Sequence, residues 1–412
     1  MVRKHVPFIA LFTLFQSTLM VGHGQSVELT NGLADYRTDS VVAIPFLLSA
    51  HDYPNGAQRF LSVSSAEKEL SIAKAQKSLE AEVRALNKIS DAYIAVGQSK
   101  NALRQLRRLL KLKNLTADED AVSHLYYNLA VVLARMKNYP AALSCFYKAG
   151  NTEARHLFKM RRKRFLYLDS SYYLFQGNTA EAETTDQLVF NDSLIDASLS
   201  SLEQAPDTLQ YSNAAAEPVL AGSLVDAFMD GKRASSYAAA IHVKQPAAGK
   251  KKVFAGLGNV GHMFITLIKF NKDRSSVTRT FGFYPEKGLL IPVNPIFPNS
   301  PAILKNDQQR SWDEMVGRFV SQRDFTSILE FIDKNSNTSY HLNRFNCSDF
   351  ALAIGDLANI NILETTGKWP LGKGNNPGSA GQSILAGKFY NKETSSKAGL
   401  FACTNNLFAT GK

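Results

Sequence analysis

Cys347 lies in the stretch FNCSDFALAI, residues 345–354, where an apolar helical pattern starts immediately after Asn346. A sulfur at the first turn of a helix sits beside unpaired backbone amides and the positive end of the helix dipole. Both favour thiolate over thiol, and the thiolate is the nucleophile. Such a sulfur needs a base within hydrogen-bond reach. His262 opens the apolar run HMFITLIKF directly after Gly261, which leaves one face of its ring open to a neighbour. His341, six residues before Cys347, is the rival base, although an extended segment need not turn it toward the sulfur. The competing reading is packing, because a buried cysteine behaves as a small hydrophobe. The Asn, Ser and Asp around Cys347 speak against it. Asp349 falls about 200 degrees around the helix from Cys347 and is expected to point away as a first-turn partner of the dipole. His242, in AAAIHVKQP, is expected on a strand face without a role. No two of these His and Cys residues have the short spacing of paired metal ligands, so neither a metal nor a cofactor is expected.

A second motif imitates a different chemistry. GLGNVG, Gly256 to Gly261, has the G-x-G-x-x-G spacing of a dinucleotide-binding turn. That turn holds a pyrophosphate only when a helix starts at its third glycine. Here β-branched and aromatic residues follow and then NKDRSS, which reads as a strand and a turn, so the nucleotide reading is set aside.

The elements that must position Cys347 and His262 are strands and helices in alternation. SYAAAIHV, HMFITLIKF and VTRTFGFYP read as strands. SWDEMVGRFVSQRDFTSILEFID reads as an amphipathic helix, with Trp312, Met315, Val316, Phe319 and Val320 recurring at threes and fours and a break near Arg323. Tyr340 to Phe345 reads as extended, and the helix runs from Ser348. TTGKWPLGKGNNPGSAGQS, residues 365–383, reads as a loop around Trp369 that lines a cleft or covers the core. The expected class for residues 235–412 is α+β with an antiparallel sheet.

Ahead of this the chain repeats itself. At a 40-residue offset Tyr93, Leu133 and Tyr173 superpose, then Gly97, Lys137 and Gly177, then Ala102, Ala142 and Ala182. A large apolar residue, a turn position and a small alanine where two helices approach describe a helix–turn–helix unit. The pattern resembles the tetratricopeptide repeat, whose usual period is about 34 residues. All-α repeats are therefore expected over residues 60–200 and a linker over 201–234, where SLSSLEQAPDTLQYSNAAAEP turns to Ser, Asp, Ala and Pro, with a short helix at 217–232. Such arrays stack into curved layers that bind a protein partner or act as spacers. Cys145 falls among Leu143, Phe146 and Ala149 and is read as a packed hydrophobe.

The first 24 residues have the form of a secretory signal: Arg3 and Lys4, an apolar run from Val6 to Phe15, then Gly22 and Gly24 before the expected cut. The run is shorter than the roughly 20 residues a membrane span needs. An exported protein, periplasmic or secreted into the cell envelope, is expected, with no membrane span after cleavage. Loss of Arg3 and Lys4 lowers the formal charge from +11 to +9, which favours anionic surfaces such as cell-wall polymers or lipid headgroups. Nucleic acid is not expected, since the basic residues are scattered or lie on helices, as in RQLRRLLKLK. Three cysteines, Cys145, Cys347 and Cys403, leave at least one thiol unpaired within the chain. Cys403 invites a disulfide.

Gly261-His262 leading an apolar strand, then GFYP, then Asn346-Cys347 with Asp349-Phe350 on a helix resembles the circularly permuted NlpC-type papain-like fold, which includes lecithin:retinol acyltransferase-like proteins. The resemblance spans roughly residues 235–390. It implies a cysteine peptidase, amidase or acyltransferase with Cys347 as nucleophile and His262 as general base. The third polar residue, which orients the imidazole, is implied on a strand after the histidine. VTRTFGFYP offers Thr278, Thr280 and Tyr284 there. Tyr340 or Asn346 serves the oxyanion or orients the loop, with Asn346 also suited to cap the helix. Three functions follow from the resemblance: hydrolysis of an amide or peptide bond, in peptidoglycan peptide; lipid acyl transfer or lipolysis; or binding without catalysis through the repeats.

Overall fold

The computed structural model describes residues 56–116, 118–161, 195, 198–202, 217–254, 259–286 and 293–405, with backbone alone for 56–62 and 151–161. The expected signal segment, the third repeat frame at Tyr173, Gly177 and Ala182, and Gly256 and Gly258 lie outside the described residues.

Helices come first, among the described residues α1 (Gly56–Ala75), α2 (Leu79–Ala95), α3 (Ser99–Leu112), α4 (Glu119–Arg135) and α5 (Tyr139–Arg161). α2 and α4 end in the same way. Gly97 and Lys137 end α2 and α4 in the left-handed region, at φ 78° and 61°. Gln98 and Asn138 each donate a backbone bond to the carbonyls of Tyr93 and Leu133, at 2.8 and 2.9 Å. A left-handed residue followed by a bond reaching five residues back closes a helix sharply, so the next helix folds back on the last. Ala102 and Ala142 are fully buried where the paired helices meet. Ser78 and Asp118 cap α2 and α4 by accepting the Ala81 and Ala121 amides.

The second part is a six-stranded antiparallel sheet in the order β12-β6-β1-β2-β3-β5. Its strands are β1 (Ala234–Lys244), β2 (His262–Asn271), β3 (Ser276–Pro285), β5 (Ala302–Asn306), β6 (Glu314–Val320) and β12 (Phe401–Thr404). Short pairs flank it: β4 (Asn299–Ser300) with β7 (Tyr340–His341), β8 (Ile360–Ile362) with β11 (Phe389–Asn391), and β9 (Thr366–Trp369) with β10 (Gly372–Asn375). Four helices pack here: α6 (Ala221–Asp226), α7 (Gln322–Asn335), α8 (Cys347–Leu357) and α9 (Pro377–Leu385). N-terminal helices followed by an α+β layer with an antiparallel sheet is the class expected. The segment around Trp369 is the β9–β10 hairpin followed by α9 rather than a loop.

Period-two alternation assigns the two sheet faces. Ala238, Ala240, Phe264, Ile268, Met315 and Phe319 join the core of the N-terminal helices. Ala239, Ile241, Met263, Ile265, Leu267 and Val316 join the core under α7, α8 and α9. The helices and the sheet thus belong to one compact unit. Tyr127 and Phe146 pack on Phe401 with ring centroids 6.2 and 5.1 Å apart, Tyr147 packs on Phe319 at 5.6 Å, and Arg135 Nε donates to the Thr404 carbonyl at 3.0 Å.

Two expectations are corrected. Trp312 to Val320 is not helical: Met315, Val316 and Phe319 lie on β6, and only Gln322 onward is helix. β6 is buried on both faces with Glu314, Gly317 and Arg318 among its buried positions, so its apolar residues fall at threes and fours instead of alternating. Residues 217–232 are not linker. Val219 N donates to Leu304 O and Asn306 N to Glu217 O, both at 2.9 Å, while Leu224 and Phe228 are buried in the core of the α+β layer.

Candidate active site

Cys347 occupies the first position of α8, and its surroundings explain why the helix begins there. Asn346 is the cap: its Oδ1 accepts the Ser348 and Asp349 amides at 2.7 and 3.3 Å, while Asp349 Oδ2 accepts the Asn346 amide at 2.9 Å. This reciprocal box satisfies three backbone donors. The other arms of the two side chains hold the neighbouring hairpin. Asn346 Nδ2 donates to Asn375 O at 3.0 Å, and Asn375 Nδ2 donates to Asp349 Oδ1 at 2.6 Å. Asn346 and Asp349 are therefore structural, and Asp349 is turned to its own cap and to the hairpin.

His262 is delivered by the sharp start of β2. Gly261 has φ +73°, and a Cβ on it would meet the Lys244 carbonyl and the Pro246 ring, so only glycine lets the chain enter the strand beside β1. The His262 ring is buried and Nε2 lies 3.0 Å from Asp307 Oδ2. Cys347 lies close enough to His262, the Met263 amide and Ser348 for each to act on its sulfur. Asp307 follows directly on β5, is fully buried, and is held on its other oxygen by Tyr284 Oη at 2.5 Å and through its amide by Thr280 O at 3.0 Å.

The electrostatics follow from this chain of contacts. Burial, the largest influence on His262, disfavours the imidazolium. The Asp307 charge and hydrogen bond, aided by Cys347, outweigh it and raise the His262 pKa above its ordinary value. Burial likewise disfavours the Cys347 thiolate, yet the His262 hydrogen bond and charge, the Met263 amide and Ser348 lower its pKa below the ordinary thiol value. Both shifts run toward the thiolate and imidazolium forms of the pair. Burial drives the Tyr340 hydroxyl upward, and it accepts the Cys347 backbone amide and bonds the sulfur. Tyr340 is placed for this by β7, which pairs with β4, and by ring stacking on Phe283 at 5.7 Å.

Several sequence-based expectations are thus located. Cys347, His262 and Tyr340 are together. Tyr284 lies tilted against His262 with centroids 4.2 Å apart but bonds Asp307, so it orients the carboxylate rather than the imidazole. The rival base His341 is engaged elsewhere, its Nδ1 accepting the Asn343 amide at 3.0 Å within a tight turn. Thr280 Oγ1 bonds Thr266 at 2.9 Å, and Arg279 next to Thr278 uses the Thr278 carbonyl at 3.0 Å. Asp307 was missed: it lies 45 residues after His262 in the polar run NDQQR, and only the neighbourhood of β2, β3 and β5 brings it back. Gly282 was a partial signal. It faces Phe264 across the β2–β3 ladder, and a Cβ there would meet both Asp307 Oδ2 and His262 Nε2. Cys347 and Cys403 are free thiols, so the expected Cys403 disulfide is not formed. Among the described residues no cluster of His, Cys, Asp or Glu is placed to hold a metal, and no helix is long and apolar enough to cross a membrane.

No family model, curated protein or solved structure matches the chain.

Proposed function

We propose that this protein is an exported cysteine hydrolase that cleaves an amide or ester bond through an acyl-enzyme, on a permuted papain-like fold preceded by tetratricopeptide-like helices. The observation that carries the reading is the hydrogen-bonded line Asp307–His262–Cys347, assembled from the end of β5, the start of β2 and the first turn of α8. Nucleophile, base and orienting carboxylate in that order are the requirements of acyl transfer.

In the proposed reaction the Cys347 thiolate attacks the carbonyl carbon and the electron pair moves to the oxygen. The Cys347 amide and the Tyr340 hydroxyl are the donors available to that oxyanion, after Tyr340 exchanges its present bonds. Collapse expels the amine or alcohol, which takes the His262 proton, and leaves a thioester on Cys347. Water then attacks with His262 taking its proton, the acid is released, and the thiolate returns. Asp307 holds the imidazole in orientation and favours its charged form through both half-reactions. Cell-wall peptide is the first substrate class to test and phospholipid the second.

Asp307 beside His262 favours catalysis over the binding-only reading. Site-resolved alkylation decides between them: the intact chain is treated with iodoacetamide across pH and each cysteine is quantified by peptide mapping. Cys347 reacting well below the free-thiol value of about 8.5, with the midpoint moving up in His262→Ala, supports the activated pair. An ordinary Cys347 midpoint that ignores His262 overturns it.

A further inference from the structure

Among the described residues ten large apolar side chains are exposed, and five of them stand on segments next to His262 or tied to one another and to the turn before Cys347: Leu371 at 74%, Ile296 at 69%, Phe297 at 53%, Phe254 at 40% and Val260 at 39%. Lys252 and Val253 lie against Gly378 and Gly367, at the start of α9 and on β9. The β9–β10 hairpin, with Leu371 at its tip, is tied to the turn before Cys347 by Trp369 Nε1 donating to Asn343 Oδ1 at 3.0 Å. That turn is joined to the Ile296–Phe297 loop by Leu342 N donating to Pro298 O at 2.9 Å. Val260 is two residues from His262.

The charges on the same segments are of one sign. Residues 250–254, 259–261, 293–299, 341–346 and 366–376 contain Lys250, Lys251, Lys252, Arg344, Lys368 and Lys373, all exposed, and no Asp or Glu. Glu364, whose carboxylate feels Lys251, is bound to Lys388 at 2.6 Å. Protruding Leu, Ile and Phe interleaved with lysines match a bilayer surface, where the apolar tips enter the acyl boundary and the cations meet anionic headgroups. A soluble polyanion would use the lysines alone and give the apolar tips no partner.

We infer that this belt docks on an anionic lipid surface and so brings the Cys347 site to it. The docking stands on the belt itself, whereas the chemistry assigned to it rests on the function proposed above.

The test is flotation of the full chain with vesicles of phosphatidylcholine alone and with phosphatidylglycerol added, read together with the emission of Trp369 beside Leu371. Binding is expected only with the anionic vesicles and is weakened by salt. The pair Leu371→Glu and Phe297→Glu is expected to lose at least about tenfold in partitioning, as is the set Lys250→Gln, Lys251→Gln and Lys252→Gln, at roughly fivefold per cation near the surface. Cys347→Ala is expected to bind as wild type. The inference is overturned if no vesicle binds, if neutral vesicles bind equally, or if the Leu371 and Phe297 pair binds normally while soluble polyphosphate displaces the protein. Alkylation of Cys347 in the belt variants keeps the two readings apart, since a reactive thiol with no vesicle binding sinks only the docking, and vesicle binding with an inert thiol sinks only the chemistry.

Discussion

Two histidines stand on adjacent strands of one sheet, both buried, and their environments drive them in opposite directions. His242 on β1 lies at the face covered by the N-terminal helices, stacked on Phe264 at 4.8 Å and against Tyr139 at 4.7 Å, with Nε2 on Thr266 Oγ1 and no hydrogen-bond partner for Nδ1. Burial, with the Lys137 charge in addition, pushes it down to about 3. His262 on β2 is equally buried but has a carboxylate on one nitrogen and the Cys347 sulfur within reach, and is raised. The cysteines repeat the contrast. Burial pushes Cys403 up to about 11 despite Arg135, while Cys347 is lowered. Residue type and burial are the same in both places. What differs is whether the charged form finds a partner that compensates for lost water.

Removing the nucleophile gives the largest break in that contrast. Cys347→Ala is expected to abolish turnover on muropeptide or phospholipid, a loss on the order of 10⁴-fold or more in kcat, with the circular dichroism of the fold retained. Next comes the carboxylate. Asp307→Asn keeps the shape but withdraws the charge that sustains the imidazolium, so kcat is expected to fall roughly 10²–10⁴-fold and the Cys347 alkylation midpoint to move toward that of an ordinary thiol. Gly282→Ala is a subtler intrusion, placing a methyl group between His262 Nε2 and Asp307 Oδ2. It is expected to mimic a weakened Asp307, with about 10²-fold loss in kcat and the same upward drift of the thiol. If it matched wild type in both, the His262–Asp307 contact would have no role in activating the sulfur.

The pH dependence has a definite sign at each histidine. At the candidate site activity is expected to be bell-shaped: it rises as the lowered Cys347 thiol ionises and falls when the raised His262 loses its proton, so any variant that returns either group toward its ordinary value narrows the window. At His242 the effect is on stability. Between the unfolded value of about 6.5 and the folded value of about 3 the unfolded chain binds a proton that the folded chain refuses. This contribution is complete above that range and declines as pH falls, by up to about 1.4 kcal/mol per pH unit. His242→Phe is expected to change stability at neutral pH by less than about 1.5 kcal/mol and to flatten the acid loss seen in urea titrations. It should leave Cys347 alkylation untouched.

Local chemistry was readable wherever a residue acts through its immediate neighbours. Gly261 before His262 announces a strand entry, Asn346 and Asp349 announce a helix cap, and Gly97 and Lys137 announce the turns of a repeated helical pair. These features depend on backbone geometry over a few residues, which spacing encodes. The strands β1, β2 and β3 were legible for the same reason. β6 was not, because an interior strand with both faces covered has no polar alternation to betray its period.

The amino-acid sequence alone thus determined the helix-then-sheet order, the caps and turns, and the pairing of a first-turn cysteine with a strand-opening histidine as candidates. The tertiary structure decided the rest. It placed Asp307, rather than the nearer Thr278, Thr280 or Tyr284, on the His262 ring, lowered the pKa of His242 and raised that of His262, and laid the N-terminal helices on the sheet. The reason is physical: orientation and charge stabilisation depend on which strands are neighbours and on how much water their side chains lose, and neither quantity is a function of spacing along the chain.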